Sequence, residues 1–346
     1  QAHLLSRLGK HEDAIPIIRR FGCCYRLAPD VWNPAQLEKV PARGPSQVLD
    51  SPRLLRDVVP DELLEVLRRG LSPDAAYWNE NDYSSREYFS WYYELENRPT
   101  NAVEALIKQV LVPVLAGCGG ESLVAAEWWA HKRRLGNDLG HQLHFDMEEH
   151  TLEQTGRILH PAVSVVVYLS GPAGGPTLVL DQTVDGAMAE RGWLVQPQCG
   201  SVMFFPGDRL HGVLPSKPGS CDASEPRLTL MVGLWSSVDF APGDRGPVGP
   251  QSPVPADKTW PSALQLPAEM TAAASRLPAE EGPVLLVSPV WEALRGEAVA
   301  DLQLPKGVDQ RFFTKEAAPW RKRVLRDHGV DDKAEGESSK RKRLLS

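Results

Sequence analysis

Residues 158–180 read ILHPAVSVVVYLSGPAGGPTLVL. Two runs rich in Val, Leu and Tyr flank a Pro/Gly cluster, which is the pattern of a strand, a turn and a second strand. The runs are too short for an ordinary helix and carry the β-branched residues that suit a pleated surface. The same texture recurs across residues 123–240, in WLVQPQCGSVMFFPGD (193–208) and RLTLMVGLWS (227–236). A series of short strands punctuated by Gly and Pro predicts an antiparallel sandwich or barrel.

The chain changes character on either side of this core. Residues 1–50 form an N-terminal segment, and residues 51–122 read as a helical region packing on the core. DELLEVLRRG (61–70) places Leu63, Leu64 and Leu67 on one face, NAVEALIKQVLVPVL (101–115) repeats the pattern, and Asp61 and Asn101 are the expected caps. Between them lies YWNENDYSSREYFSWYYEL (77–95), with Trp78, Tyr83, Tyr88, Phe89, Trp91, Tyr92 and Tyr93. An aromatic cluster this dense suits a core where helices meet a sheet; a substrate pocket is the alternative. Residues 241–262 are a Pro/Gly-rich linker or loop, and residues 263–321 are a C-terminal extension whose PVLLVSPVWEALRG (283–296) is apolar enough to dock on the core. Residues 322–346 are a charged tail expected to be disordered. No internal repeat is present.

At 346 residues, with 42% hydrophobic and 24% charged residues, the chain has the composition of a globular protein, and its 30 Pro and 28 Gly imply many loops. No run approaches the roughly 18 uncharged apolar residues of a membrane span. The net charge of -7 argues against a polyanion partner, although the sequence ends in SSKRKRLLS, a nuclear address or a solvated end. The cysteines Cys23, Cys24, Cys118, Cys199 and Cys221 are odd in number and lack paired spacing, which suits a reducing compartment, cytoplasmic or nuclear. The first residue is Gln, which leaves a removed targeting segment open.

Within the β-rich region, GHQLHFDMEEH (140–150) concentrates three histidines and three carboxylates. Gln142, His144, Asp146 and Glu148 alternate with Leu143, Phe145 and Met147, as on any strand with one wet face. On such a strand His144 and Asp146 present an imidazole and a carboxylate side by side. Two ligands hold a transition metal poorly, and His211 in GSVMFFPGDRLHGVLP (200–215), 65 positions after Asp146, is the candidate third. Two histidines and a carboxylate on one triangular face form the ligand set of non-haem Fe(II) oxygenases, and the lack of cysteine argues against a closed structural zinc site. Arg227 opens the next strand 16 positions later. A guanidinium aimed into an apolar barrel is costly unless it meets an anion, and its planar fork suits a carboxylate such as that of a dicarboxylate cosubstrate; a surface charge on an edge strand is the plain alternative. His141 is an alternative to His144, but its spacing of five to Asp146 places the two on opposite strand faces. His150 and His160 fall outside the pattern, as surface or supporting groups.

HFD, His211 within FFPGDRLHGV and Arg227 on the following strand resemble the 2-oxoglutarate and Fe(II)-dependent dioxygenases, in the branch similar to prolyl 4-hydroxylases. SVVVYLSGPAGGPTLVL (164–180) resembles the tyrosine strand and Gly-Gly-x-Thr turn of that branch. The resemblance spans about Glu127 to Trp235. It implies a mainly β fold with flanking helices, built on a double-stranded β-helix, or jelly roll. It implies that His144, Asp146 and His211 bind Fe(II), that Arg227 pairs with the remote carboxylate of 2-oxoglutarate, and that Tyr168 donates to the same cosubstrate. Thr229 shares a face with Arg227 and is a further donor to that carboxylate, or a core threonine. The implied reaction consumes dioxygen, with ascorbate as an accessory reductant, and hydroxylates a C–H bond of a protein side chain or small molecule with release of succinate and CO2. Asp146 argues against a halogenase, which vacates the carboxylate position. Gly233 stands where the nucleic-acid demethylase branch has a second arginine, so nucleic acid is not the expected substrate. SKPGSCDASEP (216–226) lengthens the interval from His211 to Arg227 relative to prolyl hydroxylases, as a loop insertion. Two other classes stay open: a facial-triad oxygenase that does not use 2-oxoglutarate, and a non-catalytic jelly-roll binding module.

Overall fold

The β-rich runs become eight strands: β1 (Ala125–Arg133), β2 (His141–His144), β3 (Val163–Tyr168), β4 (Thr177–Leu180), β5 (Gly192–Val195), β6 (Val202–Pro206), β7 (His211–Val213) and β8 (Arg227–Trp235). They are seen in a computed structural model that describes residues 1–21, 23, 25–41, 49–84, 89–116, 122–133, 140–148, 151, 157–171, 174–184, 186–216, 226–238, 250–252, 257–266 and 280–295. The winding follows from the pairing. β4 and β5 form a hairpin, and on either side of it β3 pairs with β6, β2 with β7 and β1 with β8, all antiparallel. One long hairpin is thus rolled up, its strands falling alternately into two sheets. The first runs β1-β8-β3-β6 and the second β5-β4-β7-β2. This is the double-stranded β-helix, or jelly roll.

Burial explains why these strands read as apolar runs and not as clean alternations. On the outer face of the first sheet, Val163, Val165, Val167, Leu228, Leu230 and Val232 pack with Leu63, Leu67, Leu106 and Leu111 of the helical segments. Between the sheets lie Val166, Tyr168, Val179, Trp193, Met203 and Phe205. The outer face of the second sheet, with Leu178, Leu180 and Leu194, is covered by Val31, Trp32, Val287 and Val290. With both faces covered, every residue of β3 is buried.

Residues 51–122, read as a helical region, also contain strands. Helices are present, among them Asp61–Gly70 and Ala102–Ala105, but Arg53–Arg56 pairs with β6 and Ser90–Glu94 with β1, widening the first sheet on both sides. Ser90–Tyr93 is buried throughout, which erases the period-two signal, and four residues of Arg53–Arg56 are too few to display one. Asn101 caps its helix, its side chain accepting from the N–H groups of Val103 and Glu104, whereas Asp61 is the first helical residue and Pro60 occupies the cap position. The aromatic segment divides: Tyr77, Trp78, Phe89, Trp91 and Tyr93 enter the core between helices and sheet, while Tyr83 reaches toward β1. Tyr88 lies outside the described residues.

The C-terminal extension contributes strands to both sheets, Glu280–Glu281 beside Arg53–Arg56 and Leu285–Val287 beside β5, while Trp291–Ala293 pairs with Tyr25–Leu27. Residues 296–346, including the tail from 322, and most of the expected linker at 241–262 lie outside the described residues. Among the described residues no helix is long and apolar enough to cross a membrane.

Trp128 anchors the helical layer. Its fully buried ring stands 6.3, 6.1 and 6.0 Å from those of Tyr77, Trp91 and Trp260. Trp128→Ala is expected to cost about 3–5 kcal/mol of folding stability, read as a lowered midpoint in denaturant titration. A change within about 0.5 kcal/mol, the scale of an unremarkable surface substitution, would show that the layer does not depend on this ring.

Candidate metal centre

β2 and β7 meet with His144 opposite His211 and His141 opposite Val213. Three steps along β2 therefore match two along β7, a β-bulge that inserts one residue and resets the alternation of side chains. Gly212 permits the close approach: a Cβ there would stand 2.7 Å from the His141 carbonyl oxygen and 2.9 Å from that of Gln142. The bulge corrects the strand-face argument from the sequence. His141 and His144 lie on one side with ring centroids 4.7 Å apart, although strict period two would separate them. The strand also ends at His144, so Asp146 stands just beyond it.

His144, Asp146 and His211 each offer a ligand atom within 4.8 Å of the others. The Nε2 atoms of His144 and of His211 both lie 3.6 Å from Asp146 Oδ1, too far for a hydrogen bond and close enough to share a cation. Each imidazole is turned by its other nitrogen: His144 Nδ1–H donates to Gln142 O and His211 Nδ1–H to Arg209 O, both at 2.9 Å. A carbonyl can only accept, so these contacts assign the protons to Nδ1 and leave Nε2 lone pairs facing the centre. His211 is 2% exposed and its Nε2 makes no hydrogen bond. A buried acceptor in that state costs free energy that a bound cation would recover. Two nitrogens and one carboxylate oxygen fit a non-haem Fe(II) site.

Supporting groups complete the geometry. Ser164 Oγ–H donates to Asp146 Oδ2 at 2.6 Å, and His160 Nδ1–H donates to the Asp146 carbonyl at 2.7 Å. Ser164 was not evident as a site residue from the sequence, yet a lone hydroxyl inside VSVVVY is a signal, because buried polar groups need partners. Burial pushes the His211 imidazole down to about 4. Burial raises Asp146, but His211, His144 and the Ser164 hydroxyl outweigh it and hold the carboxyl below its usual range, hence ionised. His150 lies outside the described residues.

A second polar cluster occupies the other end of the barrel interior. Arg227 is 3% exposed and donates to Thr177 Oγ1 at 3.1 Å and to the carbonyl of Gly175. Its guanidinium carbon lies 5.6 Å from the centroid of the Tyr168 ring, and Tyr168 Oη shares a hydrogen bond of 2.9 Å with Thr177 Oγ1. Gly175 must lack a side chain, since a Cβ would fall 1.9 Å from the Leu214 carbonyl oxygen. Thr229 lies on β8 opposite Tyr168, in the column of Arg227. Thr177, not singled out from the sequence, is the hydroxyl that joins Arg227 to Tyr168; the Thr of GGPT is the signal that marks it.

The wall leading from β1 to the centre is imidazole. Ring centroids step from His131 to His141 at 5.8 Å, to His144 at 4.7 Å and to His211 at 4.3 Å. Trp129 Nε1–H donates to His131 Nε2 at 3.2 Å, so His131 Nδ1–H donates to Tyr83 Oη, also at 3.2 Å. Burial, then the nearby Arg133, push His131 down to about 3, and burial, then His144, lower His141 as well, so both rings are neutral at neutral pH.

No family model and no curated protein matches the chain. Among solved structures it is similar to a Pseudomonas putida prolyl-4-hydroxylase, at 18% identity and a TM-score of 0.32 over 55% of this chain and 88% of that one. It is similar to HygX from Streptomyces hygroscopicus, determined with nickel and 2-oxoglutarate bound, at 14% identity and a TM-score of 0.32 over 54% of this chain and 83% of that one. AviO1 from Streptomyces viridochromogenes gives 15% identity and a TM-score of 0.37 over 56% of this chain and 94% of that one.

Proposed function

We propose that this chain is a 2-oxoglutarate and Fe(II)-dependent oxygenase that hydroxylates a C–H bond of a protein side chain or small molecule. The observation that supports it is the pairing of two complementary clusters inside one barrel. Ser164, which holds Asp146, and Tyr168, which meets Thr177 beside Arg227, lie four residues apart on β3, about 13 Å at roughly 3.3 Å per residue. That interval is on the scale of a short dicarboxylate with one end at the metal and the other at the guanidinium.

His144, Asp146 and His211 would hold the iron, which with 2-oxoglutarate and dioxygen supplies the oxidising chemistry and releases succinate and CO2. Arg227 would neutralise the remote carboxylate and Tyr168 and Thr177 would orient it, with Thr229 in the same column. Arg227, Tyr168, Thr177 and Thr229 are buried, and the low local dielectric strengthens each of these contacts. His131, His141 and His211 are neutral, which leaves Asp146 as the anion beside the two imidazole nitrogens. A net charge of -7 supports a substrate other than nucleic acid. The five cysteines without paired spacing support a cytoplasmic or nuclear setting, and ascorbate would serve as reductant.

Wild-type protein is expected to bind one Fe(II) or Co(II) and to form succinate from 2-oxoglutarate even without substrate, slowly. His211→Ala and Asp146→Ala should each weaken the metal by more than the roughly 10- to 100-fold that losing an outer-shell partner costs, measured by calorimetric titration, and should stop succinate formation. Metal binding by wild type without any succinate would favour an oxygenase that does not use 2-oxoglutarate; no metal binding would favour a binding module. Arg227→Ala removes one partner of a desolvated charge pair, a loss of roughly 2–5 kcal/mol. The half-saturating 2-oxoglutarate concentration should therefore rise about thirtyfold or more, with metal occupancy unchanged. An unaltered concentration dependence would remove Arg227 from the site.

A further inference from the structure

Asp146 is the ligand with the least local support. It stands past the end of β2, outside any ladder, so neither strand geometry nor a cross-strand neighbour fixes its side chain. A carboxylate has two equivalent oxygens and can bind a cation through one or both, yet only Oδ1 faces the two imidazoles, at 3.6 Å from each Nε2. Oδ2 accepts the hydroxyl proton of Ser164 at 2.6 Å, the length of a charge-assisted bond to an ionised carboxylate.

Ser164 is placed to do this by the sheet. It is 1% exposed, and its neighbours on the same inner face are Gly233 of β8 and Phe205 of β6. Phe205 packs on the His211 ring at 4.8 Å between centroids. One row across the first sheet thus supports two ligands: Phe205 braces the His211 imidazole and Ser164 the Asp146 carboxylate. Gly233 adds no side chain to compete for Asp146. The His160 bond holds the Asp146 main chain but leaves the carboxylate free to rotate.

We propose that Ser164 is a positioning residue for the metal centre, occupying Asp146 Oδ2 so that the carboxylate presents Oδ1 alone to the cation. The proposal rests on the metal-centre reading above and adds the residue that sets how many oxygens Asp146 contributes. Without the hydroxyl, Oδ2 loses the bond that occupies it, and the carboxylate is released to turn both oxygens toward the cation.

The test titrates Co(II), whose visible absorption reports coordination, into full-length wild type, Ser164→Ala, Ser164→Thr and Asp146→Ala. Ser164→Ala removes one oxygen atom, and apo melting curves check that it folds. The proposal expects wild type to bind, Asp146→Ala to lose binding, and Ser164→Ala to bind about 10- to 100-fold more weakly with an altered spectrum. Ser164→Thr, which keeps the hydroxyl, should restore both the affinity and the spectrum. Wild-type affinity and spectrum in Ser164→Ala would overturn the proposal and leave the metal centre standing. Equal weakening in Ala and Thr variants with an unchanged spectrum would make the effect one of shape and also overturn it. Failure of Ser164→Ala to fold would assign the hydroxyl to the fold instead. No Co(II) binding by wild type would remove the metal centre itself.

Discussion

His144 and His211 face each other because two strands from opposite arms of the rolled hairpin pair where residue 212 has no side chain. Much else follows from that contact. The arms can meet only if β4 and β5 turn the chain back on itself and β3 and β6 return it to the other sheet, so the winding of the barrel and the meeting of the histidines are one event. The bulge opposite Gly212 then decides which side chains of β2 look inward, and it brings His141 to the same side as His144.

Around this pairing the apolar residues form three layers, and the polar groups of the interior are confined to its two ends. Most of them have a defined partner there. Asp146 accepts from Ser164, Tyr168 meets Thr177, Arg227 donates to Thr177 and Gly175, and His131 is held between Trp129 and Tyr83. An interior with satisfied polar groups is rigid, because moving any one of them breaks a bond that water does not replace. His211 Nε2 is one of several buried polar atoms without a hydrogen bond among the described residues, and it is the one that belongs to the metal centre.

How far the sequence could be read depended on the range of the interaction. The runs of β3, β4, β6 and β8 were legible because each carries its own β-branched or apolar signal between Gly and Pro. His144 and Asp146 were legible from two positions of spacing, and Arg227 from the cost of a buried cation at the head of an apolar strand. Ser90–Glu94 was not, because burial on both faces removes the periodicity that separates strand from helix. Neither was the inward turn of His141, since a bulge is a relation between two strands and one strand cannot announce it. Ser164 and Thr177 were passed over for a related reason: a small hydroxyl in an apolar run gains meaning only when the carboxylate or guanidinium across the barrel is known. A surface charge on an edge strand was the alternative for Arg227, and the pairing of β8 with both β1 and β3, together with the bond of Arg227 to Thr177, places it inside.

The charges at the two ends of the interior bear on how its ligands would enter. Asp146 contributes one negative charge at one end and Arg227 one positive charge at the other, while His131, His141 and His211 are neutral at neutral pH. Isolated charge in a dry interior is costly, and the cost falls when opposite charges share the space. On the oxygenase reading, a divalent cation at Asp146 turns its end net positive, and a doubly charged dicarboxylate turns the whole interior net negative if it enters alone. Bound together they restore the balance present before either arrived. The cation end and the guanidinium end are then coupled through the charge of the cosubstrate, although no side chain needs to move between them. His131, His141 and His211 suit this arrangement because neutral rings add no charge to the balance, and burial keeps these three neutral.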